Sequence, residues 1–193
     1  MKKLAIVTSI ISALSLINVA QAGGNEILFH GEITESTCDS SVTGGNDVTL
    51  PTVSTMSLPG AVGDTAGRTQ FVIDVTGCTL STGKTKVAAY FNASSNGSAN
   101  VDSMTGYLTN LSEGSAGGAE GVMLQLVDGI SLEPIKVGYA SQSADVGGTG
   151  FQTVVGSPNG TARLNYFVEY VKANATIAAG TVEGKVIYDL MYK

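Results

Sequence analysis

The sequence is short of the residues on which most catalytic and metal sites depend. It has no tryptophan, two cysteines and a single histidine, His30. A Ser-His-Asp or Cys-His arrangement would have to use that histidine, and a transition-metal site would need partners around it. His30 has the opposite parity to Ile27 and Phe29 in a strand-like segment, so we expect it to face solvent. We therefore predict no enzyme, no metal site and no cofactor.

Charge is also scarce. Only 13% of the residues are charged, 16 acidic against 10 basic, which gives a net charge of −6. A chain with so few basic residues is not suited to neutralising phosphates, which argues against nucleic acid and anionic membrane surfaces as partners. Few charges together with 25 glycines are typical of an extracellular β protein.

The first 22 residues have the features of a secretory signal peptide. Lys2 and Lys3 precede an apolar stretch that closes on Ala20-Gln21-Ala22, a small-x-small cleavage pattern. A membrane anchor is the alternative, but polar residues interrupt the stretch and it is short for a membrane span. We expect export, with removal of residues 1–22.

Cys38 and Cys78 are the only cysteines. In an exported protein an even cysteine count favours one disulfide, and two buried free thiols are the alternative. Closing a loop of this length stabilises a fold by roughly 3–4 kcal/mol in the chain-entropy model.

Short strands are predicted between breaks rich in glycine, serine and asparagine, and helical periodicity is absent after residue 22. The strand segments are EILFHGEIT, TQFVIDVTGC, KVAAYFNA, GVMLQLVD, ARLNYFVEYVK and the terminal GTVEGKVIYDLMYK. Loops are predicted at Gly44–Asn46, Asn92–Asn100 and Gly147–Gly150. The CTLSTGKT segment lacks the first glycine of a phosphate-binding loop and is interpreted as a turn. This pattern predicts an all-β sandwich.

Both ends of the exported chain carry strand patterns with one apolar face. In the terminal segment one parity contains Val182, Val186, Tyr188, Leu190 and Tyr192. In the segment before the first cysteine one parity contains Ile27, Phe29, Gly31 and Ile33. Chain ends usually fray, so an apolar face at each end needs a partner. The two strands either share one sheet or pair with another molecule.

These features together resemble the structural subunits of chaperone–usher pili, in particular the type 1 fimbrial major-subunit family. Gly180 is fourteenth from the carboxyl end and Tyr192 is penultimate, with Val186, Tyr188 and Leu190 alternating between them. That spacing resembles the family's chaperone-recognition signature. Tyr166–Tyr170 resembles its preceding strand, and the pair Cys38 and Cys78 resembles its single disulfide. The TESTCDSS context of Cys38 is more polar than in the family.

The resemblance implies an incomplete immunoglobulin-like sandwich that lacks its final strand. Residues 1–22 would be the signal peptide, 23–37 a donor-strand extension and 38–193 the pilin domain. The donor strand would present Ile27, Phe29, Gly31 and Ile33 to another subunit. Its acceptor groove, also recognised by the chaperone, would include Gly180, Val182, Val186, Tyr188, Leu190 and Tyr192.

The function implied is that of a structural subunit of a bacterial adhesive fimbria, polymerised by donor-strand exchange. The implied partners are identical or related subunits, a periplasmic chaperone and an outer-membrane usher, with export through the periplasm to the cell surface. A minor adaptor or tip pilin and a free-standing secreted β-sandwich lectin or hydrolase are the alternatives. The terminal strand would then complete its own sandwich. The amino-terminal arm could also fold back onto its own domain.

Overall fold

The computed structural model describes residues 27, 29, 31–93, 100–144, 148–156 and 158–193. The chain divides into two units, Met1–Ile33 and Thr34–Lys193. In the described part of the first unit, Ile27, Phe29 and Ile33 are exposed, and residues 27, 29 and 31–33 belong to no strand. A strand was predicted for this segment; without a partner to share its hydrogen bonds, an isolated strand is not stable.

The second unit is all-β, as predicted, and consists of two antiparallel sheets. The larger has the strand order β1-β2-β7-β4-β5 and the smaller the order β6-β3-β8. The strands are β1 (Thr37–Val42), β2 (Thr65–Thr79), β3 (Lys86–Asn92), β4 (Val122–Asp128), β5 (Pro134–Ile135), β6 (Gln152–Thr153), β7 (Gly160–Lys172) and β8 (Ile187–Tyr192). Two short 3₁₀ helices, Thr55–Ser57 and Ala140–Ser143, are the helical elements of the described residues.

β2 and β7 are the long central strands of the larger sheet. β2 keeps its pairing with β7 through two register shifts, one between Ala66 and Thr69 and the other between Val75 and Cys78. Gly67 and Gly77 lie at these shifts with φ of 69° and 61°. Such bulges need a backbone conformation that glycine adopts without strain, so these two glycines let a 15-residue strand stay on one sheet.

The core between the sheets is centred on a group of aromatic rings. Tyr166 of β7 packs edge-on against Phe91 of β3 at 5.1 Å between ring centroids, and Phe71 of β2 lies 5.6 Å from Tyr166. Tyr188 of β8 reaches Phe91 at 6.4 Å. Because these four rings come from both sheets, edge-to-face packing links the layers directly.

Cys38 and Cys78 form a disulfide, as predicted. It links β1 to β2 beside the pair Thr37 and Thr79, so it holds the edge strand onto the sheet at its first residues. The preceding residues are also attached, because Ser36 is buried and the backbone N–H of Ser81 donates to its hydroxyl at 2.9 Å.

Most of the predicted strands are confirmed, and the terminal one is shorter than predicted. β8 begins at Ile187, so Gly180 and Val182 lie in the irregular segment before it. CTLSTGKT forms the turn between β2 and β3, as predicted. Gly44–Asn46 is a loop. His30, most of Asn92–Asn100 and Gly147 lie outside the described residues.

Candidate functional site

The outer edge of β8 is the most unusual feature of the described residues. β8 pairs with β3 on one side, and no described strand pairs with it on the other. Lys193 and Lys86 exchange both backbone hydrogen bonds, at 3.0 and 2.8 Å. Since such pairs alternate in an antiparallel ladder, the backbone groups of Ile187, Asp189 and Met191 also point to β3. Those of Tyr188, Leu190 and Tyr192 therefore point outward, to the open edge.

The side chains of these same three residues face the core. Tyr188, Leu190 and Tyr192 pack against the buried cluster, yet each is only partly buried. On the adjacent β3, by contrast, Val87 and Phe91 are 0% and 1% exposed. In a completed sandwich the core-facing side chains of both strands would be buried. Those of β8 are only partly buried, which is what the absence of one neighbouring strand would produce.

β1 forms the opposite wall of this opening. Its core-facing residues Cys38 and Val42 pack partly buried against the core, and β1 pairs only with β2 among the described strands. Two tyrosines of β8 reach across to it. The hydroxyl of Tyr188 lies 3.1 Å from that of Ser40, and the hydroxyl of Tyr192 bonds the backbone of Cys38. The opening is thus a groove between the edges of two sheets, with tyrosine rings across its floor.

A separate cleft of about 410 Å³ lies beside the segment that precedes β8. The cleft lies between the 52–58 segment and the 177–182 segment, and Tyr170 of β7 also lines it. Its apolar lining includes Val53, Leu58, Val122, Ile177 and Val182. A cleft of this kind can accept a large apolar side chain.

Gly180 is held at one side of this cleft by close backbone packing. A Cβ added to Gly180 would lie 2.3 Å from the carbonyl carbon of Gly118 and 2.4 Å from the nitrogen of Ala119. The next residue fixes this approach, since the N–H of Thr181 donates to the carbonyl of Gly117 at 2.8 Å. A glycine is needed here for packing within the subunit, whatever else the position does.

The side chain of Asn110 fixes the position of the segment that contains Thr181 and Glu183. It is 5% exposed, and its amide donates to the carbonyls of Ala119 and Thr181 at 2.8 and 3.2 Å. Its side-chain oxygen accepts from the N–H groups of Ser112 and Glu183 at 3.0 and 2.9 Å. All hydrogen-bonding positions of this buried amide are therefore used, which fixes the chain that leads into β8.

Comparison with known proteins identifies the family. A family model described as FimA, type-1 fimbrial protein, A, matches residues 50–193. The chain is 39% identical over 178 residues to the major fimbrial subunit SMF-1 of Stenotrophomonas maltophilia, covering 90% of this chain and 95% of that protein. It belongs to the type-1 fimbrial protein family. The subunit is also 32% identical to the F17 fimbrial protein of Escherichia coli over the whole of both chains.

Solved structures share the fold of this fimbrial subunit. A type I fimbria protein of Burkholderia pseudomallei superposes with a TM-score of 0.50 and 22% identity, over 83% of this chain and 99% of that one. A chain from a chaperone–usher pilus gives a TM-score of 0.50 at 14% identity, over 89% and 97%. The predicted pilin fold and fimbrial family are confirmed, and the protein is a structural subunit of a bacterial fimbria.

The geometry brings most of the predicted groove residues of this fimbrial subunit together. Val186, Tyr188, Leu190 and Tyr192 lie along one wall, and Gly180 and Val182 line the cleft. Their roles in strand acceptance and chaperone recognition stay predictions. The predicted donor-strand residues are in the other unit of the chain: Ile27, Phe29, Gly31 and Ile33.

Other residues of the site carry no pattern that sequence reasoning used. Ser40 lies among polar residues before β2, and only its core-facing parity with Cys38 and Val42 marks it as a groove residue. Leu58 and Val53 lie in a long irregular segment, so periodicity does not indicate their burial. Among the described residues, no helix is long and apolar enough to span a membrane, and no group of three potential metal ligands occurs.

Proposed function

We propose that this subunit polymerises by donor-strand exchange. The arm of one subunit, the part of residues 23–37 that precedes Thr34, would lie as an extended strand between β1 and β8 of the next, because Thr34, Ser36 and Thr37 are held by their own domain. Ile27, Phe29 and Ile33 would enter the groove, and Gly31 would pass where a tyrosine ring raises its floor. The observation that carries the proposal is the open edge of β8 above core-facing side chains that are only partly buried.

The arm has the properties that such a strand needs. Ile27, Phe29 and Ile33 are 74%, 89% and 100% exposed, which is unusual for large apolar side chains in neighbouring positions. Nothing lies within 4 Å of the position that a Cβ on Gly31 would take. An extended segment that joins an exposed sheet edge gains main-chain hydrogen bonds, and alternate side chains fill pockets.

The lengths of arm and groove also agree. Ile27 to Ile33 spans six residue steps, and so does Val186, which directly precedes β8, to Tyr192 at its end. At about 3.3–3.4 Å per residue, each covers about 20 Å. The arm therefore offers one inward position for each of Val186, Tyr188, Leu190 and Tyr192.

Before assembly, the same edge is a hazard. An unpaired edge beside an apolar groove can pair with any available strand. We infer that a periplasmic chaperone covers it during export and that an outer-membrane usher exchanges the chaperone strand for the arm of the next subunit. The subunit has no enzymatic role in this scheme.

Amide hydrogen exchange tests the proposal at single residues. The experiment uses the exported chain with Gly31→Val, which disables its own arm, with and without a synthetic peptide of residues 23–36. We expect the amides of Tyr188, Leu190 and Tyr192 to exchange quickly in the free chain and slowly with the peptide. Ile187, Asp189 and Met191 are the internal control, because their amides already point to β3 in both states.

A different pattern would contradict strand exchange. If Tyr188, Leu190 and Tyr192 are protected without peptide and unchanged by it, the sandwich is already complete. A free-standing secreted lectin or hydrolase would then be the better interpretation.

A further inference from the structure

The smaller sheet has a second edge, along β3. There, side chains instead of a neighbouring strand bond part of the outward-facing backbone. Since Lys86 bonds to Lys193, the backbone groups of Val87, Ala89 and Phe91 point away from β8. The two-residue strand β6 covers only Lys86 and Val87. No described strand pairs with the remaining length of this edge, at Ala89 and Phe91.

A glutamine side chain takes the place of a strand at Phe91. The N–H of Phe91 donates to Oε1 of Gln142 at 2.8 Å, and Nε2 of Gln142 donates to the carbonyl of Phe91 at 2.9 Å. This reproduces the two hydrogen bonds that an opposing strand residue would make. The hydroxyl of Tyr166 does the same for the N–H of Ala89, from which it accepts at 3.1 Å.

The two side chains are fixed by one buried network. Gln142, Thr149 and Tyr166 are 1%, 0% and 1% exposed. The N–H and the hydroxyl of Thr149 donate to the carbonyl of Gln142 at 3.0 and 3.2 Å, and the hydroxyl of Tyr166 donates to the carbonyl of Thr149 at 2.9 Å. Buried side chains that are hydrogen-bonded to one another's backbone in this way hold one arrangement.

We propose that Gln142 is a specificity residue of assembly, which restricts strand addition to the β8 edge. An edge with free N–H and C=O groups is a template for another chain. A three-stranded sheet that was open at both edges would accept a strand on each side, and such subunits would associate laterally or branch. This inference rests on the proposed strand exchange at β8, and it adds that Gln142, held by Thr149, closes the opposite edge at Phe91.

The N–H of Phe91 is the group that depends on Gln142 alone. The carbonyl of Phe91 also accepts from the N–H of Gly138 at 3.0 Å, so it keeps a partner when the glutamine is changed. Gln142→Met retains an unbranched side chain of similar size and removes both hydrogen bonds. Gln125→Met is the matched control. Gln125 of β4 is also buried, at 5% exposure against 1% for Gln142, and its amide donates to the carboxylate of Glu169 at 3.2 Å instead of to a strand edge.

The test uses the exported chain with Gly31→Val, alone and with Gln142→Met or Gln125→Met added. We measure the number of labelled 23–36 peptides bound per chain and the state of association by analytical ultracentrifugation. We expect one peptide per chain and a monomer for the parent and for the Gln125→Met variant. The Gln142→Met variant should bind a second peptide or self-associate, and its Phe91 amide should exchange at least tenfold faster.

A Gln142→Met variant that stays monomeric and binds one peptide overturns the inference and leaves the β8 proposal intact. A parent that binds no peptide contradicts the β8 proposal itself. If the Gln142→Met variant does not fold, exchange in the parent decides. Amides of Ala89 and Phe91 that exchange slowly while those of Tyr188 and Leu190 exchange quickly support closure; equally fast exchange at all four overturns it.

Discussion

Tyr188 of β8 and Ser40 of β1 join the two open edges of the subunit through their hydroxyls, 3.1 Å apart. The phenol ring of Tyr188 also packs against Phe91, so it spans from the core to the opposite wall. An incomplete sandwich is expected to close up or to splay where a strand is missing. This contact links the two walls directly.

Removal of the Tyr188 hydroxyl tests this bridge. An exposed hydrogen bond between neutral groups contributes about 0.5–1.5 kcal/mol. We expect Tyr188→Phe and Ser40→Ala each to lower the free energy of unfolding by about that amount, measured in denaturant. If the two hydroxyls bond each other, the double variant should lose little more than either single one. Fully additive losses would mean that the hydroxyls act independently.

The arm can be disabled without disturbing the domain. Phe29→Arg places a charge on the face proposed to enter the groove, where an unpaired buried charge is strongly unfavourable. We expect fibre yield on cells to fall at least tenfold, while the amount of subunit in the periplasm is maintained. His30→Arg is the control, because it adds the same side chain on the opposite parity of the arm. Normal fibres with Phe29→Arg would contradict the role of the arm.

Alanine substitutions at Gly180 and Gly184 would cause two different kinds of steric clash, one with the backbone and one with a side chain. A Cβ at Gly180 would meet backbone atoms of Gly118 and Ala119, which cannot move independently. A Cβ at Gly184 would meet the terminal methyl group of Leu124, which can change rotamer. We expect Gly180→Ala to lower the free energy of unfolding by about 1–3 kcal/mol and Gly184→Ala by less. Equal losses would remove the packing explanation for Gly180.

Many strands of this fold are predictable from the alternation of apolar and polar residues in the sequence. β2, β3, β4 and β7 follow from apolar patterns bounded by glycine and serine, and the wall of the groove follows from the parity of Tyr188, Leu190 and Tyr192. The terminal strand was predicted too long, because Val182 and Val186 keep the same parity after the pairing with β3 has ended. Periodicity reports which face is apolar, and it does not report where a partner strand stops.

The closure of the second edge was not predictable in the same way. Gln142 lies in a short 3₁₀ helix within a polar segment, where a glutamine is ordinarily exposed. Its burial depends on Phe91, more than fifty positions away in the sequence, and no local pattern encodes that contact. The polar TESTCDSS context has a similar explanation, since Ser36 and Ser40 bond to Ser81 and Tyr188.

The disulfide should contribute most of its effect through the unfolded chain. Cys38 and Cys78 are separated by 40 positions, and closing a loop of that size stabilises the fold by about 3–4 kcal/mol. We expect Cys38→Ser to lower the free energy of unfolding accordingly and to reduce the amount of subunit that assembles. Reductant should weaken the parent and leave the variant unchanged. A parent that is insensitive to reductant would show that the bond does not hold β1.

Alkaline pH should weaken the domain through its tyrosines. Burial raises the pKa of Tyr166, Tyr170 and Tyr192 above the ordinary value of 10.0, and the hydrogen bonds from Ala89 and Cys38 offset only part of this for Tyr166 and Tyr192. Above pH 10 the unfolded chain therefore loses protons that the folded chain retains, so the free energy of unfolding falls as pH rises.

The size of this effect should follow the burial of each ring. Tyr166 is 1% exposed and has the largest shift, so Tyr166→Phe should flatten the decline in stability above pH 10, although its stability at neutral pH is lower because the N–H of Ala89 loses its acceptor. Tyr170→Phe should flatten it less, since Tyr170 is only partly buried. The measurement is denaturant unfolding at several pH values between 8 and 11.5. An unchanged slope in Tyr166→Phe would mean that ionisation of this tyrosine does not drive alkaline unfolding.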